Sequence, residues 1–360
     1  MRSALPSRGS TCIPGLRVQR GLTLVELMVA IVIGLILTAG VIQIFLGSNQ
    51  SYRFQESMSR IQENGRYAVE ALARDLRSVA YRGCGGRSLN DMQVTDLTGG
   101  PGGGKGGGQG GGDISGDPFG LLADALRGYS HNGGWSPALD AEVAAHNPSP
   151  DGEVLRLRSL EYGSNADVSA HQSKGSNLFV DDVSGFEQNQ VVIATNCAEA
   201  VRFEINNAQT KEGGGQMTVP SNPAFYETYR PLTVHDDLGE RYFFIAANDV
   251  GRPALFRADS GGPAVELVEG IERLVYEFGV DTNGSGEANA YRNAADVQSN
   301  GEWEDVISVR ISILVAGAED NVVDEPQVIA FPPGANPFTA ADRRLYQTFT
   351  STVSLRNRLP

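Results

Sequence analysis

The sequence predicts an α+β protein in which a long N-terminal helix packs on a largely antiparallel β-sheet domain. Three observations predict it. An apolar run of membrane-spanning length lies near the start, and an amphipathic stripe continues it at helical spacing. From Glu153 onward, short alternating segments rich in Val, Ile, Phe and Tyr are separated by Gly, Pro, Asn and Asp.

A chain of 360 residues with 41% hydrophobic content has ample material for a folded core. Its formal net charge is −14. The first 21 residues hold Arg2, Arg8, Arg17 and Arg20 and no Asp or Glu, so the rest of the chain is more acidic still. Nucleic acid is therefore excluded as a partner, because phosphates need a basic stripe.

The apolar run extends from Leu27 to Leu46, interrupted only by Thr38 and Gln43. That matches the ~20 residues that span a bilayer and exceeds the ~7–15 of a secretory signal core. No Ala-x-Ala site follows it. Arginines before the span and acidic sequence after it place the N-terminus in the cytoplasm and the bulk of the chain outside.

Glu26 stands at the edge of this span, where an intramembrane carboxylate costs about 2.5 kcal/mol or more without a partner. Cleavage after Gly21 would supply one. The new α-amine on Leu22 would lie four residues before Glu26, about one helical turn away. The carboxylate also suits the positive end of the helix.

Arg20-Gly21-Leu22-Thr23-Leu24-Val25-Glu26 resembles the recognition pattern of type IV prepilins and type II secretion pseudopilins. The resemblance implies cleavage between Gly21 and Leu22 by prepilin peptidase, N-methylation of Leu22, and use of Glu26, beside Thr23, in registering subunits in a filament. Three departures stand in this sequence. Leu22 occupies a position where Phe is commonest, the leader is longer than in many major pilins, and Gln43 replaces a frequent mid-helix Pro.

The second half of the helix is marked by Phe54, Met58, Ile61, Ala68, Leu72, Leu76 and Val79, with Gly65 on the same stripe. Leu22 to about Ala80 would run roughly 88 Å as one helix. The alternative is two helices broken near Gly47-Ser48-Asn49. The expected organisation is a leader at 1–21, a transmembrane or filament-core helix at 22–46, an amphipathic half at 47–82 and a periplasmic β-rich domain at 83–360. Gly99 to Gly112, with 11 glycines in 14 residues, reads as a loop tolerated between elements or presented to a partner.

Strands are predicted at Val154 to Leu160, Gln190 to Thr195, Val201 to Ile205, Arg241 to Ala246, Ala254 to Arg257, Ile271 to Val280, Val306 to Val315 and Tyr346 to Leu355. The chain also resembles the PilW family of type IV pilus minor pilins. That likeness rests on Tyr81-Arg82-Gly83-Cys84, Thr195-Asn196-Cys197, Val268-Glu269-Gly270-Ile271-Glu272, Tyr276-Glu277-Phe278-Gly279-Val280-Asp281, Val309-Arg310-Ile311-Ser312-Ile313-Leu314 and Leu355-Arg356-Asn357-Arg358. It extends over most of the chain. It implies a pilin-like fold and a low-abundance inner-membrane subunit that primes pilus assembly with other major and minor pilins, with no catalytic activity and no cofactor. A minor pseudopilin of type II secretion and a signal-anchored periplasmic binding or adhesive module are the alternatives.

Cys12 falls in the leader, leaving Cys84 and Cys197 as an even pair in an oxidising compartment. Their disulfide would close a long loop and contribute on the order of 4 kcal/mol; two buried thiols are the alternative.

Asp281, Asn283, Ser285 and Glu287, with Gly286 sixth, follow the spacing of an EF-hand calcium loop. Arg292 stands where the bidentate Glu belongs, and the flanks read as strands, so a polar turn is the expectation. His131, His146, His171 and His235 are isolated, and Asp181-Asp182 and Asp236-Asp237, as neighbours on a strand, point to opposite faces. Trp135 and Trp303 are read as packing residues. No convergent catalytic set emerges.

Overall fold

The structure, a computed structural model, describes residues 23–81, 93–96, 125–160, 164–171, 177–195, 199–211, 214–218, 232–236, 239–334 and 337–358. Two compact units divide the chain, Met1–Arg53 and Phe54–Pro360. The helix Leu24–Ser78 continues through Gly47, Ser48 and Asn49 without a break, so the two-helix alternative does not hold. In the first unit its side chains are exposed all round, with Leu27, Val32, Leu35, Ile36, Ile44 and Phe45 each more than half accessible. By length and composition this helix can cross a membrane.

Within the second unit the predicted stripe is buried from Ile61 on, whereas Phe54 at its start is exposed and Met58 half-buried. Ile61, Gly65, Ala68, Leu72 and Leu76 turn inward, joined by Ser57, Ala73 and Asp75. The strands they cover were legible as apolar alternation. Each predicted strand occurs, but they divide among three larger sheets instead of one. The four-stranded sheet has the order Ala290–Arg292, Ile271–Val280, Val306–Ala316, Tyr346–Ser354. The six-stranded sheet has the order Ala264–Glu269, Pro253–Asp259, Gly239–Ala247, Val154–Ser159, Leu126–His131, Trp135–Ser136. One core joins these two sheets to the helix, through Leu155, Leu157, Phe243, Ile245, Leu274, Tyr276, Val309 and Ile311.

An eight-stranded sheet is built from residues 93–96, 165–171, 177–180, 191–195, 199–204, 207–211, 214–218 and 232–236 and has its own core around Leu178, Val192, Phe203, Met217 and Val234. Among the described strand pairs all are antiparallel except Gln93–Asp96 with Glu199–Glu204. Most of its strands went unpredicted because they are polar or Gly-bearing, as in Asn207–Lys211 and Gly214–Thr218.

The chain passes from the six- to the four-stranded sheet at Gly270. Its φ of 87° and a Cβ position only 2.7 Å from the Ala316 carbonyl oxygen leave room for no other residue. There the Gly270 amide donates to Pro253 and its carbonyl accepts from Ala316. A second tie lies at Glu153, whose amide donates to the Leu274 carbonyl and whose buried carboxylate accepts the Tyr276 amide at 2.6 Å.

Candidate assembly site

The N-terminal end of the helix is closed by a capping box. Thr23 Oγ1 accepts the Glu26 amide at 3.2 Å, while Glu26 Oε2 accepts the Thr23 amide at 3.2 Å and its hydroxyl at 3.1 Å. Thr-x-x-Glu is the sequence signal for that motif, and it supplies acceptors to two of the amide donors that a helix start leaves open. The two residues singled out from the recognition pattern therefore touch each other. Gly21 and Leu22 lie outside the described residues, as do Cys12, Cys84, Cys197 and the Gly99–Gly112 stretch.

The opposite end of the helix is held by the domain. Asp75, in the last turn of a helix that reads as apolar on this face, pairs with Arg241 at 3.1 Å, and Arg241 also reaches Asp259 at 2.6 Å. The Asp75 and Arg241 side chains are only 12% and 14% exposed. Asn64 donates to the Glu269 carbonyl, within the Val268-to-Glu272 motif. Past the last turn Ala80 adopts a left-handed φ of 58°, and its amide donates to Arg158. Asn357 then donates through its side-chain amide to the carbonyls of Val79 at 2.9 Å and Arg77 at 3.3 Å. These are carbonyls that a helix C-terminus leaves unpaired. The closing Leu355-Arg356-Asn357-Arg358 is thus a clamp: Leu355 is fully buried, and Arg358 donates to the carbonyls of Trp303 and Val306.

Gly65 is where the helix comes closest to the four-stranded sheet. A Cβ there would overlap the ring of Phe349. Gly65→Leu is expected to lower the stability of the domain by about 2 kcal/mol through overpacking. Chemical unfolding of the two forms measures this, and the loss should shrink when Phe349 is also cut to alanine.

The calcium-like loop is closed by its own amides. Asp281 accepts the Gly286 amide at 2.7 Å and the Ser285 amide at 3.0 Å, Asn283 accepts that of Ser285, and Asn289 accepts the Thr282 amide and hydroxyl. Burial alone would raise the Asp281 carboxyl, but donors from Gly286, Ser285, Asn283 and Gly284 outweigh it and hold it below the usual carboxylate range. The Glu287 amide turns in to Ser285 Oγ, and Arg292 pairs with Glu302 at 3.1 Å. Among the described residues no three His, Cys, Asp or Glu side chains come together in a metal-binding group.

The remaining candidates are packed into the fold. Trp303 is 4% exposed, stands edge-on to Phe278 and donates to Gln298, and Trp135 is partly buried beside His131. His146 stacks on Phe244. Asp181 accepts the amides of Asp167 and Asp182, and Asp182 caps Ser184, so the two carboxylates serve separate turns. Sequence reading missed a polar network on the outer face of the six-stranded sheet, where Asp140 receives Tyr129, Tyr242 and Arg156, and Glu240 receives Tyr242 and Arg158. Its members come from four segments, and no local spacing announces it.

Residues 242–357 match the family model described as Type IV Pilus-assembly protein W, and residues 16–42 match that of the prokaryotic N-terminal methylation motif. The chain carries a PilW-family region in its last third and a prepilin-type methylation motif at its N-terminus. The PilW match begins within the strand Gly239–Ala247, takes in the whole four-stranded sheet and ends on Asn357, the residue that caps the helix. The expected likeness over most of the chain is thus matched over its last third, and Tyr81-Arg82-Gly83-Cys84 and Thr195-Asn196-Cys197 both lie before it in the sequence. A solved structure, the type IV-like pilin TTHA1219 from Thermus thermophilus, aligns at 10% identity over 84% of this chain and 99% of its own, with a TM-score of 0.33. That likeness is too slight to bear on the assignment. No curated protein matches the chain.

Proposed function

We propose that this chain is a minor pilin of the PilW family that takes part in or primes type IV pilus assembly. The carrying observation is the methylation motif over residues 16–42, set directly on an apolar helix whose amphipathic half is seated in a PilW domain. In this reading prepilin peptidase removes residues 1–21 between Gly21 and Leu22, and the Leu22 amine is methylated. The helix from 22 to 46 is held in the inner membrane, 47–82 is its amphipathic half, and 83–360 forms the periplasmic body, with Cys84 and Cys197 bridged. The role is structural, with other major and minor pilins as partners.

The capping box gives Glu26 two tasks. It closes the helix start with Thr23, and the same carboxylate stands one turn from the amine that cleavage would create on Leu22. The subunit leaves the membrane when that carboxylate finds an amine in the filament, its own or a neighbour's. Glu26→Leu is expected to leave the chain in the membrane at normal abundance while surface pili fall by about tenfold or more, since the substitution removes the one charge whose pairing drives registration. Counting pili by electron microscopy beside a membrane immunoblot checks it. Unchanged piliation sinks the proposal and favours an anchored module that never polymerises.

A further inference from the structure

Sheet edges expose unpaired amides and carbonyls, and folded proteins guard them with charge, brevity, proline, bulges or cover. Five of the six outer edges of the three larger sheets carry such a guard. Ala264–Glu269 bears Glu266 and Glu269 and sits across a register shift at Leu255/Phe256. Gln93–Asp96 is four residues long and ends in Asp96, and Asn207–Lys211 is five and ends in Lys211. Trp135–Ser136 spans two residues and runs into Pro137, and Ala290–Arg292 spans three.

The sixth edge, Tyr346–Ser354, has none of them among the described residues. It runs nine residues, Tyr-Gln-Thr-Phe-Thr-Ser-Thr-Val-Ser, without a charge, a glycine or a proline, and pairs with Val306–Ala316 from end to end with no register shift. Its hydrogen-bonding parity follows from the two bonds that flank it, Gly317 amide to Leu345 carbonyl and Leu355 amide to Ile307 carbonyl. Odd-numbered residues face the neighbouring strand, so Thr348, Thr350, Thr352 and Ser354 turn their amides and carbonyls outward. The Tyr346 amide, at the start of that outward row, is taken by the Gln327 side chain. Thr350, Thr352 and Ser354 are exposed, and no described residue forms a hydrogen bond to the outward backbone from Thr348 to Ser354.

We propose that this edge receives an extended strand from a second, different helix-anchored pilin subunit, which extends the four-stranded sheet. The direction of the helix selects that occupant over a second copy of this chain. Ser57 and Ile61 lie against Gly317 beside the start of the strand, Gly65 lies against Phe349 at its middle, and Val79 is capped by Asn357 just past its end. Helix and edge strand therefore run the same way. Two copies pairing this edge with itself about a two-fold axis are antiparallel and carry their helices in opposite directions, whereas chains anchored in one membrane carry them in the same direction. The incoming strand has to be free of proline along its paired side. Opposite Thr348, Thr350 and Thr352 it favours Thr, Ser or Val, the residues that pair well across strands. The inference rests on the pilin reading given above.

The test uses the full-length chain in its own membranes. Thr350→Pro removes one outward amide and none of the backbone bonds to Val306–Ala316, though it also removes the 3.4 Å contact between the Thr350 and Ser312 hydroxyls, and proline is tolerated on such an edge. Thr352→Lys is a second variant that guards the edge without touching the backbone. A photo-crosslinking amino acid at position 350 of the otherwise unchanged chain identifies what lies beside it. Expected is a cross-link to a strand of another subunit with a prepilin-type N-terminus. Its yield from position 348 should fall about tenfold with either variant, as loss of edge hydrogen bonds implies, and the thermal midpoint should stay within a few degrees. A cross-link only to a second copy, or no protein cross-link at all, overturns the proposal. So do unchanged yields in both variants. The pilin reading falls separately, on Glu26→Leu: if that variant abolishes pili while the edge variants leave the cross-link intact, only the edge inference is lost.

Discussion

Asp75→Ala is expected to destabilise the second unit by about 3 kcal/mol, the lower end of the loss seen when one member of a buried ion pair is removed. The substitution takes a carboxylate from Arg241, 14% exposed, whose ion pair with Asp259 is to a side chain 45% exposed. It also removes a charge that ties the last turn of the helix to the six-stranded sheet. Urea unfolding of the soluble domain beginning near Phe54 measures the loss. A chain carrying both Asp75→Leu and Arg241→Met should recover most of it, because apolar residues of similar volume replace a buried pair at little net cost. If the double variant is as unstable as the single one, the pair is not what the site requires.

Stability is also expected to depend on pH through Glu153. Burial pushes its carboxyl from the ordinary 4.5 up to about 7, against the Tyr276 amide that favours the charged form and with the help of the nearby Glu277 charge. The folded state therefore holds a proton that the unfolded chain releases at lower pH. The stability conferred by neutral Glu153 is complete below about pH 4.5 and is lost as pH rises through about 7. Glu153→Gln keeps an acceptor for Tyr276 and cannot ionise. Relative to that variant, the natural chain should lose on the order of 3 kcal/mol between pH 4.5 and pH 8. Other carboxylates titrate in both proteins, so the difference between the two stability profiles is the quantity to follow. A constant difference across that range would mean that Glu153 is solvated or already charged in the fold.

What could be read in advance was whatever repeats locally. The stripe from Ile61 to Leu76 has helical period, and Ile271–Val280 and Val306–Ala316 are long, β-branched and bounded by turns, so both were legible. Thr23 and Glu26 were found through the recognition pattern, although Thr-x-x-Glu also announces the capping box that joins them. Asp75 gave no such signal. It looks like a solvated helix position, and its partner Arg241 lies 166 residues away. Asn357 belonged to a recognised closing motif, but only the fold shows that the motif ends the helix. Polar strands such as Asn207–Lys211 escaped because they stand at a sheet edge, where pairing is decided by backbone and neighbours more than by side-chain pattern.

If the chain is handled as a prepilin, the mass of its mature N-terminus will show it. Protein isolated from membranes should begin at Leu22 and carry one methyl group on its amine. A membrane-bound chain that keeps Arg20-Gly21 attached ahead of Leu22 would contradict the account.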